Sequence, residues 1–478
     1  MRRSQEPCEC IIIKHKMLNK RAYFWGIVNR FAPIAIQVVS NMVLARYLTP
    51  EDFGTIGVLN IFLAVAAALI DSGLGGSLIK EEIVTDTDCN TIATFNFFTS
   101  IVLYIIIFAF SGLIEAFYQI PSLAKITRLV SLTFIINSIG LVPKAIMTKK
   151  LKFKTLCNVA ILGVFIGSAV SITMAIVGCG VYALVAYPII NAVVNTLAVL
   201  LMERYSFRFA FSVSSLKKLA PFGIYTTLTS IIDTVYENLL TSLTGKYLDV
   251  TRAGYLTQAK KIEEGLTTSV ASALGNVSFP ILTKLKGNAE LFRKEADSLQ
   301  KNVALLFTPI LMLVAIFSDD ICSLVFGQAW QPAGIYLTAL IFAGIFLIQE
   351  TLIRSYIKSL CAVKELMQIT VLKRSIGIGV IIGTLILDPD IMLYGYVFST
   401  FIGLLLNVGL YSRLMDTSFI KQTFDIIKPL LPSVLFFILV KFSVSNMDSP
   451  LCMYAIALTI TILYYAFLLI IRRLCHRK

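Results

Sequence analysis

The chain has 478 residues, 57% of them hydrophobic and only 15% charged, with a mean hydropathy of +0.81. A soluble domain of this size carries more charge than that, so the composition excludes a soluble enzyme and points to an all-α polytopic membrane protein. The net charge of +14 reads as the Lys and Arg excess of cytoplasmic loops rather than a footprint for nucleic acid.

At ~20 apolar residues per span plus short connectors, the length allows about fourteen helices. No cleavable signal is visible: the apolar core before Lys14 is only Ile11-Ile12-Ile13. Met17-Leu18-Asn19-Lys20-Arg21 reads as a more natural beginning than Met1, which makes residues 1–16 an extension. After a basic tail over 1–21, six helices are expected at 22–45, 54–79, 91–117, 124–147, 155–177 and 181–202, together an N-lobe over 22–202. A connector at 203–217 leads to a C-lobe over 218–413, with helices at 218–243, 252–283, 300–318, 333–357, 365–387 and 391–413. Two further helices, 427–445 and 451–471, fill a C-terminal segment over 414–471, and residues 472–478 form a second basic tail.

The bases support this alternation. Lys144 to Lys154, Arg204 to Lys218, Lys284 to Lys301, Arg354 to Arg374 and Arg472 to Lys478 all fall on one side. Both termini are therefore expected in the cytoplasm.

One connector has a copy. Leu44-Ala45-Arg46-Tyr47-Leu48-Thr49-Pro50-Glu51-Asp52-Phe53-Gly54 reads as a tight turn punctuated by Pro50 and Gly54. A fainter version, Lys246-Tyr247-Leu248-Asp249-Val250-Thr251-Arg252-Ala253-Gly254, repeats Tyr, Leu and Gly at the same spacing. Both lie between the first and second helix of a six-helix block. An even number of helices per block makes these parallel repeats.

The expected outer connectors are too short for a polymerase or hydrolase site, and no GxxxxGK[ST] motif supplies an ATP motor. The nine cysteines are scattered and suggest no disulfide framework. Cys8 and Cys10 lack partner ligands, and His15 and His476 sit in the tails. No metal, cofactor or catalytic residue is expected.

Charges inside the bilayer cost ~2.5–3.5 kcal/mol each at a helix centre, so they mark either ion pairs or a hydrated path. Arg30, Gln37 and Asn41 share one face of the first helix by their spacing of seven and four. Asp71, on the second, is expected at the depth of Arg30. Asp233 and Glu237 share a face of the seventh helix. The eighth carries Gln258, Lys260, Lys261, Glu263 and Glu264, with Asp233 level with Lys261 and Lys260 in reach of Glu264. The candidates for a substrate cavity are Arg30, Gln37, Asn41, Gln258, Lys260 and Lys261. Those for ion coupling, or for pairing with these bases, are Asp71, Asp233, Glu237 and Glu264. Glu350 with Arg354 reads as an interfacial pair.

Several of these stretches resemble a known family. Leu44 to Gly54 is similar to the LARxLTPEDFG signature of polysaccharide exporters. Asp71-Ser72-Gly73-Leu74 with Leu78-Ile79 resembles the end of their second helix. Val142-Pro143-Lys144-Ala145 with Lys150-Leu151-Lys152-Phe153 resembles a connector, and Leu324-Val325-Phe326-Gly327-Gln328-Ala329-Trp330 resembles their LxFGxxW segment. The family is that of the Wzx-type lipid-linked oligosaccharide flippases, in the multidrug/oligosaccharidyl-lipid/polysaccharide (MOP) exporter superfamily. The resemblance implies two six-helix repeats around a central cavity plus two C-terminal helices, alternating access, and a bacterial inner-membrane location. It also implies undecaprenyl-pyrophosphate-linked oligosaccharide as cargo, with membrane lipids and other polysaccharide-assembly proteins as partners. The alternatives are an ion-coupled small-molecule antiporter of the same superfamily and a membrane polymerase or ligase.

Overall fold

The computed structural model describes residues 32–71, 74–81, 84–203, 209–445 and 450–476, and no strand occurs among them. The protein is an all-α, multi-pass membrane protein. Ten helices among the described residues are long and apolar enough to cross a bilayer. Their exposed faces carry large apolar side chains such as Phe98, Ile105, Phe110, Phe165 and Leu201. That surface suits hydrocarbon as its solvent, where every backbone polar group must be satisfied within a helix.

Helix α1 occupies residues 32–47. It is followed by α2 (Pro50–Asp71), α3 (Leu74–Lys80), α4 (Asp86–Tyr118), α5 (Leu123–Lys149), α6 (Phe153–Ile176), α7 (Val181–Glu203), α8 (Val213–Tyr247) and α9 (Val250–Glu263). A π-helical turn, Glu264–Thr268, joins α9 to α10 (Ser269–Leu285). Then come α11 (Ala289–Ile316), α12 (Ser318–Phe326), α13 (Ala333–Ser359), α14 (Val363–Leu387), α15 (Met392–Leu414), α16 (Phe419–Ile427), α17 (Leu431–Ser445) and α18 (Pro450–His476). Several boundaries differ from expectation: α8 already starts at Val213, inside the connector expected at 203–217, and runs to Tyr247. Residues 289–299 are not a connector but the first turns of α11, capped by the Asn288 side chain, which accepts from Leu291 N at 3.1 Å. The segment after α15 starts helical at Phe419 and breaks at Lys428-Pro429. Gly54 is not in the turn; it lies in the first turns of α2.

By packing, the chain forms two compact units, 1–254 and 255–478. In the first, α4 packs on α5, α6 on α7, and α2 along α8. Gly163 and Gly167, one turn apart on α6, let it approach α7 closely. A methyl at Gly163 would collide with the Asn195 amide, and one at Gly167 would lie 3.1 Å from Tyr187 O. Small residues at such spacing are the usual device for close helix approach in lipid. The core of this unit gathers Val58, Leu59, Ile114, Tyr118, Leu123 and Ile126.

The motif at Leu44 to Gly54 is a helix start. Thr49 and Asp52 form a reciprocal cap: Thr49 N donates to Asp52 Oδ2 at 2.9 Å, and Asp52 N donates to Thr49 Oγ1 at 3.3 Å. Pro50 takes the first helical position, where its missing N–H is no loss. Glu51 and Asp52 place negative charge at the positive end of the helix. The copy is capped similarly, with Asp249 Oδ1 accepting from Thr251 N at 2.5 Å.

In the second unit, α13 is the hub, packed by α10, α11 and α15. Trp330 is buried, 5.8 Å from the Phe326 ring and 6.0 Å from Tyr255 between centroids. Gly327 precedes it at φ 109°, ψ 165°, a conformation essentially confined to glycine. That accounts for the glycine in Leu324 to Trp330.

Candidate functional site: a polar cavity in the first unit

A stripe along α5 supplies one wall. Asn137, Gly140, Leu141, Lys144 and Thr148 recur at spacings of three, four and seven, which puts them on one helix face. Pro143 does not end α5, which runs on to Lys149. Lys144 is therefore a residue of a spanning helix rather than of a loop. Asp71 at the end of α2, Gly75, Gly76 and Ile79 of α3, and Asn195, Thr196 and Val199 of α7 complete the lining. Together they enclose a cavity of about 500 Å³.

Its shape follows from what its residues lack. Gly75 leaves room in front of the carboxylate, since a methyl there would lie 3.5 Å from Asp71 Oδ1. Gly140 admits Thr196, whose hydroxyl would be 3.0 Å from a methyl at that position and which donates to Ile136 O at 3.1 Å. Asn195 Nδ2 donates to Asn191 Oδ1 at 2.7 Å.

One base and one carboxylate share the space. The charges of Lys144 and Asp71 act on each other, and both residues are exposed to the cavity rather than sealed in the core. Water in such a chamber removes most of the ~2.5–3.5 kcal/mol that each charge would cost in hydrocarbon. Amides and hydroxyls around a lysine suit a ligand that carries hydroxyl groups and negative charge. The lining holds neither a thiol nor an imidazole. No group of three His, Cys, Asp or Glu among the described residues could hold a metal ion.

The other candidates are dispersed. Arg30 lies outside the described residues. Gln37 is exposed and Asn41 half-buried on α1. Asp233 is half-buried and Glu237 exposed on α8. In the second unit Lys260 Nζ lies 3.9 Å from Glu264 Oε1, and Lys261 is half-buried. Gln258 is fully buried, and neither atom of its amide has a hydrogen-bond partner. The buried carboxylate of this region is Glu263, which accepts from the Thr267 hydroxyl beside Gly344. The π-helical turn shifts the helix face at this point, which sequence spacing does not reveal.

Glu350 bonds directly to Lys373 of α14, both side chains only 4% exposed, so the site is buried rather than interfacial; the charge of Arg354 also acts on it. Asn407 of α15 adds a bond to Glu350 Oε1 at 3.3 Å. Asn137, Asn195 and Thr196 escaped the sequence reading because uncharged polar residues are ordinary in membrane helices. Lys144 escaped it because it heads a run of loop lysines.

Residues 43–335 match the family described as "Polysaccharide biosynthesis protein". The chain is 23% identical over 326 residues to the teichuronic acid biosynthesis protein TuaB of Bacillus subtilis (strain 168), covering 67% of each. It is 26% identical over 310 residues to the lipopolysaccharide biosynthesis protein WzxC of Escherichia coli (strain K12), covering 64% of this chain and 63% of that one. The chain thus spans about two thirds of the length of these relatives. Among solved structures, the lipid II flippase MurJ in its inward closed conformation superposes with a TM-score of 0.75 at 14% identity, over 95% of this chain and all of that one. An inward-facing multidrug resistance MATE family transporter of the MOP superfamily gives 0.61 at 16% identity, over 82% of this chain and 99% of that one.

Proposed function

The chain belongs to the polysaccharide biosynthesis protein family, and from that premise we propose that it flips lipid-linked oligosaccharide repeat units, carried on undecaprenyl pyrophosphate, across a bacterial inner membrane. The product feeds O-antigen, capsule or exopolysaccharide assembly, and other assembly proteins are its partners. The proposed topology has fourteen spans, two six-helix lobes over 22–202 and 218–413, and both termini in the cytoplasm. Cargo moves by alternating access, and no bond is made or broken.

The observation that carries this reading is the polar cavity inside an otherwise apolar helical unit. Moving sugars and a pyrophosphate through hydrocarbon requires a hydrated passage, while the polyprenyl tail can stay in lipid. Lys144 supplies a base for the anionic head, and the Asp71 carboxylate, the amides and the hydroxyls suit sugar hydroxyls. In the second unit Lys260 and Lys261 are further candidate bases. Arg30, Gln37 and Asn41 extend the candidates on the first helix, and Asp233, Glu237 and Glu264 are candidates for ion coupling. The small-molecule antiporter reading rests on fold alone, whereas the family and the named functions of TuaB and WzxC support the glycan reading.

The test is purified protein in vesicles loaded with radiolabelled polyprenyl-pyrophosphate oligosaccharide on one leaflet. The expected result is appearance of the glycan, unchanged in chain length, on the opposite leaflet. New glycosidic bonds, or equal leaflet exchange with and without the protein, overturn it.

A further inference from the structure

The signature that names the family lies away from the cavity, yet its two copies touch. Helices α2 and α9 both begin just after a capped turn and both place glycine at their fifth residue, Gly54 and Gly254. The two glycines face each other. A methyl built on Gly54 would strike the Val250 carbonyl, lying 2.8 Å from its carbon, and would be 3.0 Å from Gly254 N. A methyl on Gly254 would strike the Pro50 carbonyl, 2.7 Å from its carbon, and would be 3.1 Å from Gly54 N. The contact is reciprocal: each glycine presents a Cα hydrogen to the carbonyl that opens the opposite helix. No residue with a side chain fits either position without moving a backbone.

The contact is tightened around its edges. Val58, one turn beyond Gly54, fills the space that a side chain on Gly245 would need. The Tyr118 hydroxyl meets the Ser242 hydroxyl at 2.5 Å, and Lys246 donates to Phe117 O. These join the last turns of α8 to those of α4. Asp52 and Asp249 hold the two helix starts in shape. All of these groups cluster at one end of the first unit. The two similar turns singled out in the sequence are thus the two helix starts that meet here.

We propose that Gly54 and Gly254 form a backbone clasp that closes the outer end of the passage and separates when cargo is released outward. The proposal rests on the topology proposed above, which puts both turns outside. Residues merely fixing a hairpin need no reciprocal bare backbone between two distant turns. The glycine contact itself holds no side chains, so once the Val58, Tyr118–Ser242 and Lys246 contacts at its edges release, it can part and re-form in the same register, which suits a gate that must open once per cycle.

The clasp is tested with a reporter cysteine, Asn137→Cys, in a chain whose nine native cysteines are replaced. A membrane-impermeant maleimide is applied to intact cells and to inside-out vesicles. Gly54→Ala or Gly254→Ala inserts a methyl where only a carbonyl fits, so each is expected to raise labelling from outside about tenfold, the low end of what overpacking shifts in an equilibrium. Unchanged labelling from both sides, in protein of normal abundance and melting temperature, overturns the proposal. A rise confined to inside-out vesicles leaves the clasp standing and overturns the topology instead. Should either glycine variant fail to accumulate, Ser242→Ala loosens the same seam without adding bulk. It is expected to raise outside labelling two- to threefold, and no change there also overturns the clasp.

Discussion

The two units bury charge in opposite ways. In the first, Lys144 and Asp71 line an open chamber of about 500 Å³ with amides and hydroxyls around them. In the second, Glu350 and Lys373 are bonded directly to each other, each 4% exposed, with Asn407 closing the group. The first set has open space beside it and the second a direct partner. A charge with space beside it is free to exchange its partner for a ligand. A charge sealed against its counterion is not, and its removal strands the other. Charge inside a membrane span is therefore not one signal but two, separated by whether space has been left beside it.

Breaking the sealed pair is expected to have the largest effect. Lys373→Met removes the direct partner of the buried Glu350 carboxylate, leaving it Asn407 and the charges of Arg354 and Arg374, and should destabilise by up to ~3 kcal/mol, seen as a fall in melting temperature and abundance. The double substitution Glu350→Leu with Lys373→Met should recover most of that loss, because hydrophobic replacements of a whole buried pair are often neutral. A double variant that is stable yet inactive in leaflet exchange would move this pair into the transport machinery and break the contrast.

Opening the comparison from the other side, Lys144→Ala should lower glycan exchange about tenfold, the equivalent of ~1.4 kcal/mol of lost contact to an anionic group. Its melting temperature should change little, since water already solvates the site. Lys144→Arg should restore part of the rate. If Lys144→Ala instead collapses abundance, the chamber is structural and the two regions do not differ.

How much of this was legible in the sequence depends on what each residue's role rests on. Helix positions followed from hydropathy because lipid demands long apolar runs. The repeat was legible because Tyr, Leu and Gly recur in one topological position. Gly54 itself was misread as turn punctuation: a glycine kept for backbone approach and one kept for a turn are identical in a single sequence, and only the opposing Val250 carbonyl tells them apart. Asp71 was legible as a costly charge. Its neighbour Lys144 lies inside the expected helix 124–147 but counts with the inner bases up to Lys154, so its place opposite Asp71 in a cavity wall was not legible. Glu350 was noticed but matched to Arg354, four residues on; its partner Lys373 lies on another helix, beyond any periodicity argument. Glu263 stands in the sequence with the other charges of its helix, but only Glu264 reads as a candidate there, since Lys260 is in its reach; which of two adjacent carboxylates is buried is set by the packing, and it is Glu263.

The helix caps offer a smaller test of the repeat. Asp52→Ala removes the acceptor for Thr49 N, just before α2, and Asp249→Ala the acceptor for Thr251 N in the first turn of α9; each should cost ~1 kcal/mol. Equal losses, read as equal falls in melting temperature, would mean the two turns carry similar local stability. A much larger loss at Asp52 would mark the first turn as the more constrained copy.

The smallest effect is expected where charges meet at an exposed edge. Lys150 and Lys152 both donate to Glu203, the second at 2.6 Å; the lysines are 55% and 42% exposed while the carboxylate they share is 4% exposed. With Lys152 retained, Lys150→Ala should cost no more than ~0.5 kcal/mol, as for other surface pairs. The residual effect should vanish at ~1 M salt, where the screening length falls to about 3 Å. This edge joins the start of α6 to the end of α7, so it is a third class of charge: neither sealed nor facing the chamber. If Lys150→Ala lowers glycan exchange at low salt while leaving the melting temperature alone, that basic edge takes part in gathering anionic cargo, and the chamber is not the first place the cargo meets a base.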